Sequence, residues 1–207
     1  MGRRLAVSDI HGEGHRLLQV LEKAHYEPGS DRLFLLGDYI DRGTDSKRTV
    51  EIVRSLDAVT LKGNHDDWLV QVLKHRDISV FDWIKRGGWA TLRDYGGWPP
   101  DDVIAWLDSL ASYHEEPDCI LVHAGLKPSV PLNEQSPHDL LWIRGKFLNG
   151  YRGKRVIFGH CPTSWITGDS NFRGIWHGPD KTGIDTGAAY GGPLTLLDID
   201  SGETWIA

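Results

Sequence analysis

The sequence predicts an α/β fold, and three observations carry that prediction. Short apolar runs of strand length end abruptly in Gly beside Asp, Asn or His, segments with apolar residues at helical spacing lie between them, and the last stretch alternates around Gly-rich turns. A run such as RLFLLGD, apolar without alternation, reads as a strand covered on both faces, the habit of parallel sheets packed between other layers.

Residues 4–8, RLAVS, form the first predicted strand, and GHRLLQVLEKA after it sets Leu17, Leu18 and Leu21 at helical spacing. DRLFLLGD is the second strand and DSKRTVEIVRSL the second helix; AVTLKGN is the third strand and leads into the helix DDWLVQVLKH. The order is βαβαβα. Residues 77–117 are rich in Trp, Gly and Pro and predict one or two short helices wrapped in loops, a cap-like insertion without sheet. CILVHAG and RVIFGH are two more apolar strands, each ending in His and Gly, and the tail TGIDTGAAYGGPLTLLDIDSGETWIA predicts a hairpin around DIDSGE. With 207 residues, 40% of them hydrophobic and 25% charged, the chain suits one domain spanning 1–207.

The formal charge of −6 leaves no broad basic face for gripping nucleic-acid phosphates, so no nucleic-acid binding is expected. Only Leu5, Ala6 and Val7 stand between the two N-terminal arginines and Ser8, too few apolar residues for a secretory core, and no apolar stretch approaches the ~20 residues of a membrane span. Cys119 and Cys161 make no disulfide framework and no CxxC pair. A cytoplasmic protein with reduced thiols and no membrane partner is the expectation.

FLLGDYIDRG, residues 34–43, ends a buried strand in charge: Asp38, Asp41 and Arg42 fall at its carboxyl end, where ligands bind in α/β sheets. An internal Asp–Arg turn would account for that stretch alone. Yet VSDIHG, LKGNHDD, VHAG and FGH repeat the same grammar at four further strand ends. The set holds metal-ligand residue types and no partner for a Ser or Cys nucleophile. Asp9 and His11, two apart in an extended segment, can point at one ion, Asp38 can bridge to a second with its two oxygens, and Asn64, His123 and His160 would complete that second site. Mixed nitrogen and oxygen donors suit Mn²⁺, Fe or Zn²⁺ better than Ca²⁺. Two such ions about 3.5–4 Å apart form the clamp used for in-line attack on phosphorus.

SDIHG, GDYIDRG, GNHDD, HAG and GH, in this order between residues 8 and 160, closely resemble the motifs of the phosphoprotein phosphatase family of metallophosphoesterases. GIDTGAAYGGPLTLLDI resembles the C-terminal portion of that family's bacterial and phage branch, as in the lambda phage Ser/Thr protein phosphatase. The resemblance implies a calcineurin-like metallophosphoesterase fold, a two-sheet β-sandwich flanked by helices. It implies one divalent ion on Asp9, His11 and Asp38 and another on Asp38, Asn64, His123 and His160, with a hydroxide held between them as the nucleophile. His65 would protonate the departing oxygen with Asp41 orienting its ring, and Arg42 and Arg144 would grip the phosphoryl group. Mn²⁺ is the expected activating ion in vitro, with Fe or Zn²⁺ as alternatives.

Two positions depart from the family pattern. Ser8 stands where Gly is usual, and Asp66 stands where Glu is usual, one methylene shorter but still able to cap a helix start or support a ligand. Arg86 precedes GG where relatives often carry Asn; it and Arg173 are weaker phosphate candidates, and His177 reads as a loop residue rather than a ligand.

For substrate, the compact length favours a phosphomonoesterase acting on phosphoserine or phosphothreonine in proteins. Symmetrical dinucleoside tetraphosphatases carry the same five motifs and form the alternative, with a phosphorylated small molecule as substrate. Trp83, Trp89, Trp98 and Trp106 would favour it if any ring were free to stack on a base, though core packing is the plainer role. A non-catalytic phosphate-binding module would lack the acid or a ligand, and here every such position is filled.

Overall fold

The computed structural model describes residues 2–74 and 79–207. His75 and residues 77–78, included in the third predicted helix and the cap-like region, lie outside the described residues. In chain order the strands are β1 (Arg4–Val7), β2 (Arg32–Leu35), β3 (Ala58–Thr60), β4 (Tyr113–Glu115), β5 (Cys119–Val122), β6 (Arg155–Phe158), β7 (Trp176–Gly178), β8 (Lys181–Gly183), β9 (Thr195–Asp198) and β10 (Thr204–Ile206). They form two five-stranded sheets, ordered β10-β9-β1-β2-β3 and β4-β5-β6-β8-β7. Within each sheet three neighbours run parallel, β1, β2 and β3 in the first and β5, β6 and β8 in the second, and the remaining strands pair antiparallel at the edges.

The unbroken apolar runs have a direct packing cause. Ala6, Phe34 and Leu197 of the first sheet meet Leu121 and Ile157 of the second in the core between the sheets. Alternate residues of the same strands, Leu5, Val7, Leu33 and Leu35, face the opposite way onto Leu17, Val20, Val50 and Val53 of the helices α1 (Gly14–Lys23) and α2 (Ser46–Ser55). On the second sheet Ile120, Val122, Val156 and Phe158 pack outward against Leu140 and Phe147. These strands are apolar on both faces because each face is covered. Truncating fully buried Phe34 to Ala would cost about 3–5 kcal/mol.

Helix α2 starts where expected because the Asp45 carboxylate accepts from the Arg48 backbone N–H at 2.8 Å, a cap worth about 1 kcal/mol. The next helix, α3 (Asn64–Lys74), begins two residues before the predicted start, so Asn64 and His65 sit in its first turn. The region after residue 78 differs from expectation. It holds α4 (Val80–Trp83), a π-type turn over Ile84–Gly88 kinked at Gly87 with φ 124°, α5 (Trp89–Tyr95) and α6 (Asp101–Ser109), and it ends in sheet, since β4 pairs antiparallel with β5. Sequence reasoning missed β4 because a three-residue edge strand, YHE, carries no apolar run. Nor did it anticipate α7 (Pro137–Trp142), α8 (Gly145–Gly150) or α9 (Thr163–Thr167), each of them too short to show a helical period. The hairpin predicted around DIDSGE forms as β9–β10, and β9 returns to pair with β1. His177 lies in β7 and is exposed, a strand residue rather than the loop residue expected. No helix among the described residues is long and apolar enough to cross a membrane.

Candidate active site

The six parallel strands end on one edge of the molecule, and each delivers polar residues there. β1 leads to Asp9 and His11, β2 to Asp38, Asp41 and Arg42, and β3 to Asn64 and His65; β5 leads to His123, β6 to His160 and β8 to Asp185. The turns that do this are conformationally costly. Nine non-glycine residues among those described have positive φ, and six are here: Asp9, His11, Asp38, Asp41, Arg42 and His160. A non-glycine residue held there costs of order 1–3 kcal/mol, and such strain clusters at functional sites. Asp9 and His11, at φ 52° and 45°, are therefore not in the extended segment expected from the sequence. Glycine supplies the clearance that these turns need, since a Cβ at Gly63 would collide with the backbone and Oδ1 of Asp38, and one at Gly159 with Ser8 and Asp9.

Asp38 is the centre of the arrangement. Its Oδ2 lies 3.2 Å from His11 Nε2 and its Oδ1 3.6 Å from His123 Nε2, while Oδ1 also accepts from the His65 backbone N–H at 2.8 Å. Burial disfavours its charge, but His123, His65 and His11 outweigh it and hold the carboxyl well below the usual carboxylate range. Two sets of donor atoms, each mutually within 4.8 Å, share it, Asp38 with His11 and His65 and Asp38 with Asp9 and His123, a division that differs from the expected one by placing Asp9 with His123 and His65 with His11.

Hydrogen bonding shows that these groups suit a cation. His11 Nδ1 lies 2.8 Å from the Ile40 carbonyl and His123 Nδ1 2.8 Å from the Leu36 carbonyl; a carbonyl can only accept, so each Nδ1 carries its proton. In each ring Nε2 is then the nitrogen turned toward the centre. His123 Nε2 faces Asn64 Oδ1 at 2.9 Å and Asp38 Oδ1 beyond it, so one nitrogen and two oxygens converge, a mixed donor set of the kind that holds a divalent ion. His160 is set differently. Its Nδ1 lies 2.8 Å from Asn64 Oδ1, and its Nε2 accepts from Arg144 Nε at 3.0 Å. Burial, then His123 and Arg144, push its pKa well below the ordinary histidine range, which leaves the neutral form that a ligand requires.

Around this centre stands a hydrogen-bonded support. Ser8 donates its hydroxyl to Asp9 Oδ2, the oxygen that also accepts from the His160 backbone N–H at 2.9 Å, so the Gly-to-Ser departure adds a donor to a candidate ligand. Asp66 accepts from the backbone N–H groups of Asp38 at 2.8 Å, Gly63 at 2.9 Å and Tyr39 at 3.1 Å, tying the start of α3 to the loop after β2. Burial and the nearby Asp38 charge push its carboxyl up to about 7. His65 Nδ1 meets Asp41 Oδ2 at 2.7 Å, and Trp83 Nε1 donates to the same oxygen at 2.8 Å while the Thr91 hydroxyl donates to Oδ1 at 2.6 Å. Burial lowers the His65 pKa against the pull of Asp38 and Asp41.

One cleft is lined by Asp38, Asn64, His65 and His160 together with Arg42, Arg86 and Arg144. Arg42 Nη1 lies 2.7 Å from His11 Nε2. Arg86 was discounted on the sequence because its position usually carries Asn, yet the π-type turn brings it to the cleft, where Arg42 N–H donates to the Gly87 carbonyl at 3.0 Å. Arg173 is outside this cleft, in the lining of a neighbouring cavity. Of the four tryptophans weighed as base platforms none lines the cleft: Trp83 is fully buried and stacked on Trp98, Trp106 packs on Tyr39, and Trp89 lies under Arg93. Asp185 was missed. It is buried near Asp9, its Oδ1 accepts from Gly187 N–H at 2.9 Å, and burial with the Asp9 charge pushes its carboxyl well above the usual range. The signal was present in KTGID, an acid after a strand, but the strand is short and polar.

Comparison with known proteins places this geometry. A family model described as calcineurin-like phosphoesterase matches residues 2–190. A symmetrical bis(5'-nucleosyl)-tetraphosphatase of Pseudomonas syringae is 30% identical over 82% of this chain and 57% of its own length, and the chain spans only about half the length of the first such relatives. Serine/threonine-protein phosphatase 1 of Salmonella typhimurium is 27% identical over 93% of this chain and 90% of its own. A solved structure provisionally described as a diadenosine tetraphosphatase superposes with a TM-score of 0.77 at 26% identity, covering 100% of this chain and 93% of that one. The tetraphosphatase name recurs among the matching relatives, and it overturns the expected assignment to Ser/Thr protein phosphatases. That assignment leaned on chain length, which does not bear on the chemistry of the site. The matched model, with the two-sheet fold and the Asp, Asn and His side chains at the strand ends, makes the chain a member of the calcineurin-like phosphoesterase family, a metallophosphoesterase.

Proposed function

We propose that the chain hydrolyses dinucleoside tetraphosphates symmetrically, breaking the central phosphoanhydride to release two nucleoside diphosphates. The observation that carries this reading is the convergence of Arg42, Arg86 and Arg144 on the cleft that holds Asp38 and His65. A monoester presents one phosphoryl group, whereas a tetraphosphate presents flanking charges on both sides of the reacting phosphorus, and three guanidinium forks in one cleft match that charge. The names of the relatives support the same substrate class.

Asp9, His11 and Asp38, with Asn64, His123 and His160, would hold the two divalent ions, Mn²⁺, Fe or Zn²⁺ by donor type. When bound, those ions supply positive charge to the phosphoryl oxygens and lower the pKa of water at the reacting phosphorus. The chain's own residues do the rest. Arg42 and Arg144 orient the reacting phosphoryl group, and Arg86 takes the charge of a neighbouring phosphate. His65, with its Nδ1 proton on Asp41, presents Nε2 to the cleft, where that nitrogen takes up the proton released as water attacks and passes it to the departing diphosphate oxygen. Trp83 and Thr91 fix the Asp41 carboxylate and thereby the tautomer of His65. Water attacks the phosphorus as the bridging P–O bond breaks, so one diphosphate gains the water oxygen and the other keeps the bridging oxygen.

The test is kcat/KM of the Mn²⁺-loaded protein on diadenosine tetraphosphate against a phosphoserine peptide, with products resolved by chromatography. Faster dinucleotide turnover yielding only ADP is expected. Products of AMP and ATP, or faster peptide turnover, would sink the proposal. Arg86→Ala should raise KM for the dinucleotide by roughly tenfold, the weight of a charge-assisted pair in a partly open cleft.

A further inference from the structure

Trp165 and Tyr190 are unusual for large aromatics beside a charged cleft: each is about half exposed, 55% and 52%. They pack on each other with ring centroids 5.4 Å apart and planes 46° apart. Both line the cleft that holds Asp38, His65 and the three arginines, and both also line an adjoining cavity of about 160 Å³ with Ser164, Ser170 and Arg173. The pair is thus the wall shared by the catalytic cleft and the cavity. Arg42 links it to the centre, with its guanidinium 5.2 Å over the Tyr190 ring and Nη1 against His11. The other cleft aromatics are already engaged, Trp68 against His65 and Trp142 against His160, and they pack edge-on to each other.

We infer that Trp165 and Tyr190 form the platform on which one nucleobase of the substrate stacks, with the adjoining cavity receiving the nucleoside and Arg173 closing its far side. The inference rests on the dinucleotide reading and names the part of the site that would tell a nucleotide from bare polyphosphate. A base needs an exposed ring face within a short phosphate chain of the metal ligands, and these are the two half-exposed aromatics on the cleft wall. Ser164 and Ser170 line the cavity where a base edge or ribose would lie. Arg173 donates there only to the carbonyls of Ser170 and Phe172, without a carboxylate partner among the described residues.

The experiment compares calorimetric dissociation constants of ADP and pyrophosphate, the first with a base and the second without, in the Mn²⁺-loaded wild type, Trp165→Ala, Trp165→Phe and Tyr190→Ala proteins. The ratio of the two constants is internal to each protein and independent of turnover. ADP should bind the wild type about tenfold tighter than pyrophosphate, and Trp165→Ala or Tyr190→Ala should bring the ratio close to one while Trp165→Phe retains most of it. Equal binding in the wild type, or a ratio untouched by both alanine variants, would overturn the platform. Should Trp165→Ala fail to fold, Tyr190→Ala and Trp165→Phe carry the comparison. An ADP preference without cleavage of diadenosine tetraphosphate would retain the platform and defeat the proposed function; cleavage without an ADP preference would do the reverse.

Discussion

Trp83, fully buried in a region that the sequence presents as a cap, donates its indole N–H to Asp41 at 2.8 Å. Asp41 in turn meets His65 at 2.7 Å, so a tryptophan 42 residues along the chain sets the proton position of the candidate acid. Gly88 packs flat on that indole, which is why RGGW carries glycine there.

Trp83→Phe keeps the ring and removes the donor. The expected outcome is a fall in kcat of about tenfold with KM little changed, and a displaced acid limb in the pH profile of kcat. Thermal unfolding measured beside it separates this from a packing loss, which would lower Tm without moving the profile.

His65→Asn should cost turnover by about 10²–10⁴-fold on an alkyl phosphate monoester, whose leaving alkoxide needs a proton. The loss on diadenosine tetraphosphate should be smaller, because a departing diphosphate is a weak base with a pKa of about 6. Equal losses on both substrates would argue against His65 as the proton donor.

Asp38 is common to both donor sets, so Asp38→Ala should abolish binding of both ions, whereas Asp9→Asn should weaken one. Elemental analysis of the purified variants after equilibration with Mn²⁺ reads the stoichiometry. Retention of two ions by Asp38→Ala would remove it from the centre.

Far from the site, Asp31 accepts from Arg3 through its backbone N–H and guanidinium and from the Glu27 N–H, and the Arg3 guanidinium beside it lowers its pKa. A carboxyl depressed on folding stabilises the fold above its unfolded pKa near 3.9 and loses that contribution as pH falls through the folded value. Asp31→Asn should therefore lower stability by about 1 kcal/mol at pH 7, screened because Arg3 is part-exposed, and by less at pH 3. Urea midpoints at the two pH values check it; an equal loss at both would assign the effect to packing.

What the sequence by itself determined was local. Apolar runs without alternation announced strands covered on both faces, and Gly beside Asp, Asn or His at their ends announced turns that carry ligands, since both depend on a few adjacent residues. Asp9, His11, Asp38, Asn64, His123 and His160 each follow the end of a parallel strand. Tertiary structure decided which strands join which sheet, and with it the neighbours across the site. Asp185 came to Asp9 only because β8 lies beside β6, Arg86 reached the cleft only through the kink at Gly87, and Trp83 found Asp41 across 42 residues. Trp165 and Tyr190, 25 residues apart by number, share a cavity wall for the same reason. None of these contacts leaves a periodic trace in the chain, because each depends on the packing of elements distant in sequence rather than on the propensity of any one segment.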